Sequence, residues 1–405
     1  MANVTDSQPA SRPVPEPAPA EGPHVAPRLI YVDQLRVLIV VGVLLIHVCE
    51  VFNPWDQWHI TNPQRSRILG EVVVVPASWI MPLFMLLAGM SAWYSLQRRS
   101  NTAYLRERVV RILLPLLVGT LTLVPVQVWL ERRLDGSFQG SLFAFYPHFF
   151  DGIYPRGNFS WHHLWFLAHL FLYSVIALPL FRYWQSHHGS GQLRLLSRVS
   201  SGPGGLLWLA LPLILERHVL WWLFPERHML TADWSNHALL FVAYVYGFVL
   251  ANGLWLGAAI DAQWPWALAA ALGIAAVLVA ATWHGLLPDK LPPPYTPGYL
   301  VFWSLYGVGA WSWMVAALGL ARRWLAAERP LFRYGCRRGY GWYLVHQPII
   351  MAFAFLIVQR HAPLVVKLVT LLLLSAAGTL AGAEALRYIP FVHRTLGLRP
   401  ETRGV

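Results

Sequence analysis

Three ionisable residues, Asp33, Arg36 and His47, stand in or just before an otherwise apolar run at residues 35–48. Ionisable groups inside a membrane-spanning helix cost free energy and usually serve a function. Arg36 and His47 are eleven positions apart, which at about 100° per residue is three turns plus roughly 20°, so both side chains point the same way. The same spacing separates them by roughly 16 Å along the helix axis. One helix can therefore present a cation near one membrane surface and an imidazole well inside the membrane.

These residue types suit proton transfer beside an anion-binding group. A neutral histidine is a candidate general base, because its pKa lies near working pH and a partner can orient one of its two ring nitrogens. Asp33 lies three residues before Arg36, where its carboxylate can neutralise and orient the guanidinium. A structural interpretation is also open. An arginine near a helix end often extends to lipid phosphates, and an intramembrane histidine can simply hydrogen-bond a neighbouring helix.

The composition is that of a polytopic membrane protein. Of 405 residues, 56% are hydrophobic and 12% are charged, and the mean hydropathy is +0.46. A soluble protein would have about twice that charged fraction. The formal net charge is +12, but the arginines cluster between apolar segments and not on a surface with phosphate-reading motifs, which argues against nucleic acid as a partner. Cys49 and Cys336 are predicted on opposite sides of the membrane, so no disulfide framework is expected.

The apolar segments predict an all-α fold with about ten transmembrane helices in a lipid bilayer. The predicted spans lie at about residues 35–48, 72–96, 109–130, 161–181, 205–224, 238–257, 266–283, 297–320, 340–358 and 363–388.

Charge bias predicts that both termini are cytoplasmic, because the loops then placed inside hold twice as many Lys and Arg residues as those placed outside. Residues 1–27 are rich in proline and predicted to be a disordered cytoplasmic tail. This tail lacks the pattern of a secretory signal, so the first span is expected to act as an uncleaved insertion signal. Residues 28–390 are expected to form the membrane domain, and residues 391–405 a short basic cytoplasmic tail.

Several connections between spans have distinctive compositions. Residues 131–160 are unusually aromatic for a loop, and this segment is expected to fold on the surface and cover a site. Residues 182–204 are interpreted as a Gly/Ser-rich basic loop. Cys336 is placed in a later arginine-rich loop. A hairpin loop is placed at residues 258–263, although no basic residue supports it.

The predicted cytoplasmic mouth beside Arg36 is rich in arginine, which suits a polyanionic ligand such as a nucleotide diphosphate. Positive-inside bias also accounts for many of these residues. If His47 faces the same interior channel, about 16 Å of separation suits the pantetheine arm of coenzyme A. The arginines are Arg98, Arg99, Arg106, Arg108 and Arg111.

Five segments together match the pattern of a known family. They are YVDQLRVLIVVGVLLIHV, MPLFMLLAGM, YLRERVVRILLP, HHLWFL and GWYLVHQPII. On these segments the chain resembles the acyltransferase-3 family of integral membrane acyltransferases, which includes the proteins that succinylate periplasmic glucans. The resemblance extends over nearly all of the hydrophobic region, with Ala88 and Met90 replacing the family's usual Ser and aromatic residue around Gly89.

The resemblance implies acyl transfer from cytoplasmic acyl-CoA, either acetyl-CoA or succinyl-CoA, to a hydroxyl of an extracytoplasmic carbohydrate. It implies a multi-pass protein of the bacterial cytoplasmic membrane that holds no permanently bound cofactor. His47 then acts as the general base, while Arg36, with Asp33 beside it, assists donor binding or helix geometry. By their position in the matching motif, Arg108 and Arg111 lie on the donor side.

Two further sets of residues are candidates for binding the acceptor. Tyr343 and His346 are three positions apart on a predicted span, so they can line one cavity. His162, His163 and Trp165 begin another span and can contact sugar through imidazole hydrogen bonds and aromatic stacking. Ordinary packing is the alternative for both sets, as an interhelical hydrogen bond or as interfacial aromatic residues.

Other kinds of chemistry fit less well. Five histidines fall on the predicted outer side, but their spacing matches no zinc-ligand motif, so no metal site is predicted. Cys49 is about 200° around the helix from His47, which disfavours a cysteine nucleophile paired with that base. The histidines are His47, His59, His148, His162 and His163.

Two alternatives come from other functional classes. In a proton-coupled transporter or flippase of a glycan or small anionic solute, Arg36 and His47 would relay protons or gate a pathway. Such proteins often contain paired repeats with broken spans, and no convincing repeat is evident in the sequence. In a structural subunit of a glycan-synthesis complex, His47 would be dispensable. The acyl group and the acceptor carbohydrate both remain open.

Overall fold

The computed structural model describes residues 29–56, 58–224, 232–252, 254–286 and 293–388. These residues form α-helices linked by short 3-10 and π-helical segments, with one isolated bridge between Ile153 and Phe159. The helices in chain order are α1 (Ile30–Glu50), α2 (Arg67–Ala77), α3 (Ile80–Arg98), α4 (Asn101–Arg108), α5 (Leu114–Thr122), α6 (Val124–Leu134), α7 (Leu142–Phe145), α8 (Trp165–Ile176), α9 (Leu178–Gln185), α10 (His187–Ser201), α11 (Leu211–Val219), α12 (Trp234–Ala251), α13 (Leu254–Trp283), α14 (Pro297–Trp324), α15 (Pro330–Val358) and α16 (Leu364–Arg387).

The protein is an all-α polytopic membrane protein, as the sequence predicts. Within the described residues, eight helical segments are long and apolar enough to cross a membrane, and two bent helix pairs raise the number to as many as ten. The bent pairs are His162–Ile176 with Leu178–Gln185, and His187–Ser201 with Gly205–Val219. The eight segments are Ile30–Glu50, Arg67–Arg98, Asn101–Leu134, Trp234–Ala251, Gly257–Trp283, Pro297–Trp324, Pro330–Val358 and Leu364–Leu386.

The interpretation of residues 182–204 as a loop is wrong, because α10 occupies most of that segment. The chain turns by 117° between α10 and the helical segment Gly205–Val219. Gly204 lies at the turn with a φ of +67°, a left-handed conformation that glycine adopts at little cost. The Gly and Ser residues of α10 obscure its helical pattern in the sequence, although its apolar side is partly buried.

The hairpin predicted at residues 258–263 is also wrong. Helix α13 runs through this segment without a break, and its internal Pro265 lies on an exposed face. Asp261 accepts two hydrogen bonds of 2.8 Å from Arg322 on α14, so this acidic residue forms an ion pair between two spans. The segment around Cys336 is likewise helical, because α15 begins at Pro330.

Helices α3 and α12 pack with their backbones in close contact. A Cβ atom at Gly89 would overlap the carbonyl oxygen of Tyr244, and one at Gly247 would overlap the carbonyl oxygen of Leu86. Each helix therefore needs glycine where it crosses the other. This close approach accounts for the glycine in the AGM segment.

Helix α1 lies among α2, α3, α14, α15 and α16. Its buried Gln34 donates to the carbonyl oxygens of Leu325 at 3.1 Å and Ala327 at 2.7 Å, which fixes α1 against the end of α14. The predicted terminal tails, residues 1–27 and 391–405, lie outside the described residues, and the orientation of the termini stays a prediction.

Candidate active site

His47 on α1 and His346 on α15 form a directly bonded imidazole pair. The Nδ1 atom of His47 lies 2.9 Å from the Nε2 atom of His346, and the rings are stacked with an interplanar angle of 15°. The Nδ1 atom of His346 lies 2.7 Å from the carbonyl oxygen of Tyr343, which can only accept, so that nitrogen is the donor. In neutral His346 the Nε2 atom is then the acceptor, and His47 donates to it from Nδ1. The lone pair of His47 therefore lies on Nε2, the nitrogen that a general base needs.

A proline in α15 helps to place a third histidine. Pro348 has no amide hydrogen, so the helical hydrogen bond to the carbonyl of Leu344 is missing. The Nε2 atom of His163 donates to this carbonyl at 3.0 Å, and the hydroxyl of Tyr343 donates to the carbonyl oxygen of His163 at 2.7 Å. The ring of His163 meets that of His346 edge to face at 5.3 Å. The YLVHQP segment thus orients two histidines through its own backbone.

A cavity of about 1090 Å³ adjoins this histidine cluster. His47 lines it together with four of the residues that the sequence proposes for acceptor binding, while His346 lies behind His47 and is buried. Trp58 stacks on the His47 ring, with ring centroids 5.8 Å apart. The candidate acceptor residues in the cavity wall are His162, His163, Trp165 and Tyr343.

The aromatic segment at residues 131–160 covers this cavity, as the sequence predicts, and contributes Tyr154 and Phe159 to its wall. Arg132 secures the segment by donating to the side chain of Asn158 at 2.9 Å and to the carbonyl oxygen of Gly157 at 3.0 Å. The hydroxyl of Tyr154 donates to Glu131 at 3.1 Å. Burial, reinforced by the Glu131 carboxylate, raises the pKa of Tyr154, which therefore stays a neutral phenol.

Arg36 lies toward the opposite end of α1 and does not line this cavity among the described residues. Its guanidinium bonds Asp33 at 3.1 Å, as the spacing predicts, and also the carbonyl oxygen of Leu87 at 2.6 Å and the hydroxyl of Ser91 at 2.5 Å. Arg36 therefore joins α1 to Leu87 and Ser91 on α3. The path of a donor between Arg36 and His47 stays a proposal.

The remaining donor-side arginines surround the start of the third span. Arg108 lies over the ring of Tyr104 at 4.6 Å, and Arg111 pairs with Glu107 at 3.0 Å. A second, shallower cavity of about 520 Å³ is lined by Arg106, Glu107 and Arg111. Arg98 is exposed at the end of α3 and does not line that cavity within the part of the chain described.

The helix that carries Arg111 is linked to α15. A π-helical segment, Val109–Leu113, leads into α5, where Pro115 has no amide hydrogen to offer the carbonyl of Arg111. The hydroxyl of Tyr340 donates to that carbonyl at 2.9 Å. Helix α15 thus contacts both the arginine-rich end and the histidine cluster.

Comparison with known families agrees with this arrangement. A family model described as an acyltransferase domain, that of the acyltransferase-3 family, matches residues 29–387. The chain belongs to this family. It is therefore a multi-pass membrane acyltransferase, and the match includes both the arginine-rich end and the histidine cluster. No curated protein and no solved structure matches the chain.

Several residues of the acyltransferase's cavity escaped the sequence interpretation. His59 is named there only in the rejected zinc set, and Trp58, Tyr154 and Gln347 received no role. Gln347 adjoins His346 in the YLVHQP segment, so its position in that motif is a usable signal. The others come from loops, where no periodicity relates a residue to a distant partner.

Cys49 does not contribute to this cavity among the described lining residues. It is a buried free thiol on a different side of α1 from His47. The geometry thus agrees with the sequence argument that disfavoured a cysteine nucleophile paired with His47.

Proposed function

We propose that this acyltransferase moves an acetyl or succinyl group from acyl-CoA, bound at the arginine-rich end, to a carbohydrate hydroxyl in the large cavity. His47 is the general base. The observation that carries this proposal is the hydrogen-bond chain from His47 through His346 to the carbonyl of Tyr343, because it leaves a basic nitrogen on the histidine that lines the cavity. The proposed location is the bacterial cytoplasmic membrane, with the arginines facing the cytoplasm.

In the proposed reaction, the acceptor hydroxyl gives its proton to Nε2 of His47 while its oxygen attacks the thioester carbonyl carbon. A carbon–oxygen bond forms, and collapse of the tetrahedral intermediate breaks the carbon–sulfur bond. The thiolate of coenzyme A leaves and takes the proton from the His47 imidazolium, so that coenzyme A departs as a thiol. His346 stabilises the imidazolium by accepting the hydrogen bond from Nδ1 of His47.

The wall of the large cavity supports a carbohydrate acceptor. Its aromatic residues offer flat faces to sugar rings, and its histidines offer hydrogen-bonding groups to hydroxyls. A volume of about 1090 Å³ is at the upper end of the range for small-molecule sites, which suits a sugar unit of a larger glycan. The aromatic residues include Trp58, Tyr154, Trp161 and Trp165.

The opposite end supports a polyanionic donor. Arg106 and Arg111 line the shallow cavity there, and Arg36 and Arg108 lie deeper, close enough for their charges to interact. Guanidinium groups bind phosphate oxygens in bidentate fashion, which suits the phosphates of coenzyme A. The acyl arm would extend along α1 toward His47, a reach of roughly 16 Å from Arg36.

The decisive experiment places donor and acceptor on opposite sides of sealed vesicles that contain the full chain. Radiolabelled acetyl-CoA or succinyl-CoA is supplied on the arginine-rich side, cell-envelope glycan is supplied on the other, and the glycan is analysed by mass spectrometry. We expect acylated glycan from the unsubstituted protein. We expect His47→Ala to lower the rate by about 10²–10⁴-fold, the usual contribution of a general base.

His148→Gln is the matched control, because His148 is an exposed histidine in the segment that covers the cavity and its side chain forms an ion pair with Asp151. Both variants must insert and express like the parent. Acylation at the parent rate by His47→Ala would reject the base assignment, and unmodified glycan transported across the vesicle membrane would favour a transporter.

A further inference from the structure

We propose that His59, Glu131 and His162 bind one divalent transition-metal ion, and that zinc is the ion their donor atoms suit best. One ligand atom from each residue lies within 4.8 Å of the other two. Two histidine nitrogens with one carboxylate oxygen are a frequent zinc ligand set that leaves one position open. The sequence argument had rejected zinc because the spacing matches no motif, but the fold brings together ligands from three separate segments.

The distances already approach those of a bound ion. Nδ1 of His59 lies 3.1 Å from Oε2 of Glu131. Two ligands on a tetrahedral zinc ion with bonds of about 2.0–2.1 Å are separated by about 3.3 Å. The rings of His59 and His162 are in contact, with centroids 4.1 Å apart. Small side-chain rotations can therefore place all three atoms around one ion.

His162 provides the second, independent observation. Its Nδ1 atom lies 3.1 Å from the hydroxyl of Ser160, which leaves Nε2 as the lone-pair nitrogen when Nδ1 carries the proton. Nε2 is buried and has no hydrogen-bond partner among the described residues, and the residue is only 7% exposed. A buried lone pair without a partner is unfavourable, and coordination to a metal ion would satisfy it.

The surrounding bonds resemble the outer shell of a metal site. Oε1 of Glu131 accepts from the hydroxyl of Tyr154 at 3.1 Å, which fixes the carboxylate with Oε2 toward His59. Ser160 fixes the ring of His162 in the same way. Metal-binding histidines and carboxylates are commonly oriented by such second partners. His162 also has a φ of +41°, an unusual conformation that holds its ring in this position.

The ion would link the loop after α1, the end of α6 and the turn before α8 at the cavity. His59 and His162 line the cavity, so the remaining coordination position would be available to water on that side. The neighbouring Trp58 stacks on His47, so the same ion would also restrain the loop that supports the proposed base. This proposal does not depend on the identity of the donor or the acceptor.

The test is direct measurement of zinc binding to the full chain, purified in detergent without an affinity tag and stripped with a chelator. Titration with zinc chloride should give one equivalent per chain. His59→Gln, Glu131→Gln and His162→Gln should each bind less than a tenth of an equivalent at the concentration that saturates the parent. Ser160→Ala should weaken the affinity about tenfold, because it removes only the outer partner of His162.

His148→Gln is the control and should retain one equivalent, because His148 is exposed and pairs with Asp151 away from the proposed ligands. Cobalt in place of zinc should give the intense visible absorption of a tetrahedral site in the parent and the control alone. Should a ligand variant fail to fold, the Ser160→Ala affinity and the thermal stabilisation of the parent by zinc decide the question. The absence of zinc binding by the parent, or equal binding by folded ligand variants, would reject the proposal in favour of a hydrogen-bonded cluster.

Discussion

The imidazole of His346 accepts a hydrogen bond of 2.9 Å from His47 and donates one of 2.7 Å to the carbonyl of Tyr343 in its own helix. Because the carbonyl cannot donate, the direction of both bonds is fixed. His346 thus acts through His47 as a positioning residue. The backbone of α15 determines the tautomer of the proposed base on α1.

We expect His346→Leu to lower kcat for acyl transfer by about 100-fold or more, because Leu cannot accept the hydrogen bond from Nδ1 of His47. His346→Gln should recover part of that loss, since the amide oxygen can accept it. The measurement is kcat, KM and the pH–rate profile in detergent. The Leu variant should change the profile and leave the donor KM unaltered. Equal rates and profiles for the Leu and Gln variants would contradict the positioning role.

Pro348→Ala should lower acyl transfer about tenfold, the effect of losing one hydrogen bond of about 1–1.5 kcal/mol. The new amide can bond the carbonyl of Leu344 and draw it away from His163. In a His163→Ala background the same substitution should have no further effect. Pro265→Ala in α13 is the control, because that proline also lies within a span but is exposed and remote from the cavity. Independent, additive effects of Pro348→Ala and His163→Ala would refute the link.

Gly89→Ala should destabilise the protein by about 1–3 kcal/mol or more, because a Cβ atom there overlaps the carbonyl oxygen of Tyr244 on α12. Gly247→Ala should act similarly through Leu86. Thermal unfolding in detergent measures the effect. Gly273→Ala is the control, since nothing lies within 4 Å of a Cβ atom at Gly273 and alanine favours the helix. A melting temperature unchanged by Gly89→Ala would show that α3 and α12 can move apart without a loss of stability.

Arg36→Lys should reduce acyl transfer about tenfold or more, although the charge is retained. The guanidinium bonds Asp33, Leu87 and Ser91 at once, and a lysine ammonium cannot reproduce this planar arrangement. Initial rates at varied donor concentration provide the measurement. Arg333→Lys is the matched control, because Arg333 lies in the first turn of α15, is half exposed and forms an ion pair with Glu328. Equal rates for both variants would assign Arg36 a role as a charge alone.

The sequence was sufficient for the parts of the site that lie on long helices. The spacing of Asp33 and Arg36 correctly predicted their ion pair. Of the two residues that the YLVHQP motif offered for one cavity, Tyr343 lines it, whereas His346 lies behind His47 and is not among the described lining residues. Helical periodicity is what makes such predictions possible. That His346 would bond His47 directly did not follow, because spacing within one helix cannot identify the partner on another.

The structure of the loops and irregular helices was harder to predict from the sequence. His59 lies in a loop, Glu131 near the end of α6 and His162 in a 3-10 turn, and no sequence period relates their positions. Helix α10 was missed because its Gly and Ser residues are typical of loops, although tertiary packing holds it helical. The ion pair of Asp261 with Arg322 explains the error in α13, since a charged residue can stay within a span when a neighbouring span supplies its counter-ion.

His47 and His346 are separated by 299 residues. At about 5–20 residues per second, a ribosome needs roughly 15–60 s to translate that interval. Arg36 can pair with Asp33 as soon as the first helix forms. His47, in contrast, is synthesised long before His346, which accepts its hydrogen bond. The proposed base is therefore synthesised early and its partner late. If the proposed mechanism holds, the newly made chain has no oriented base until α15 has been inserted.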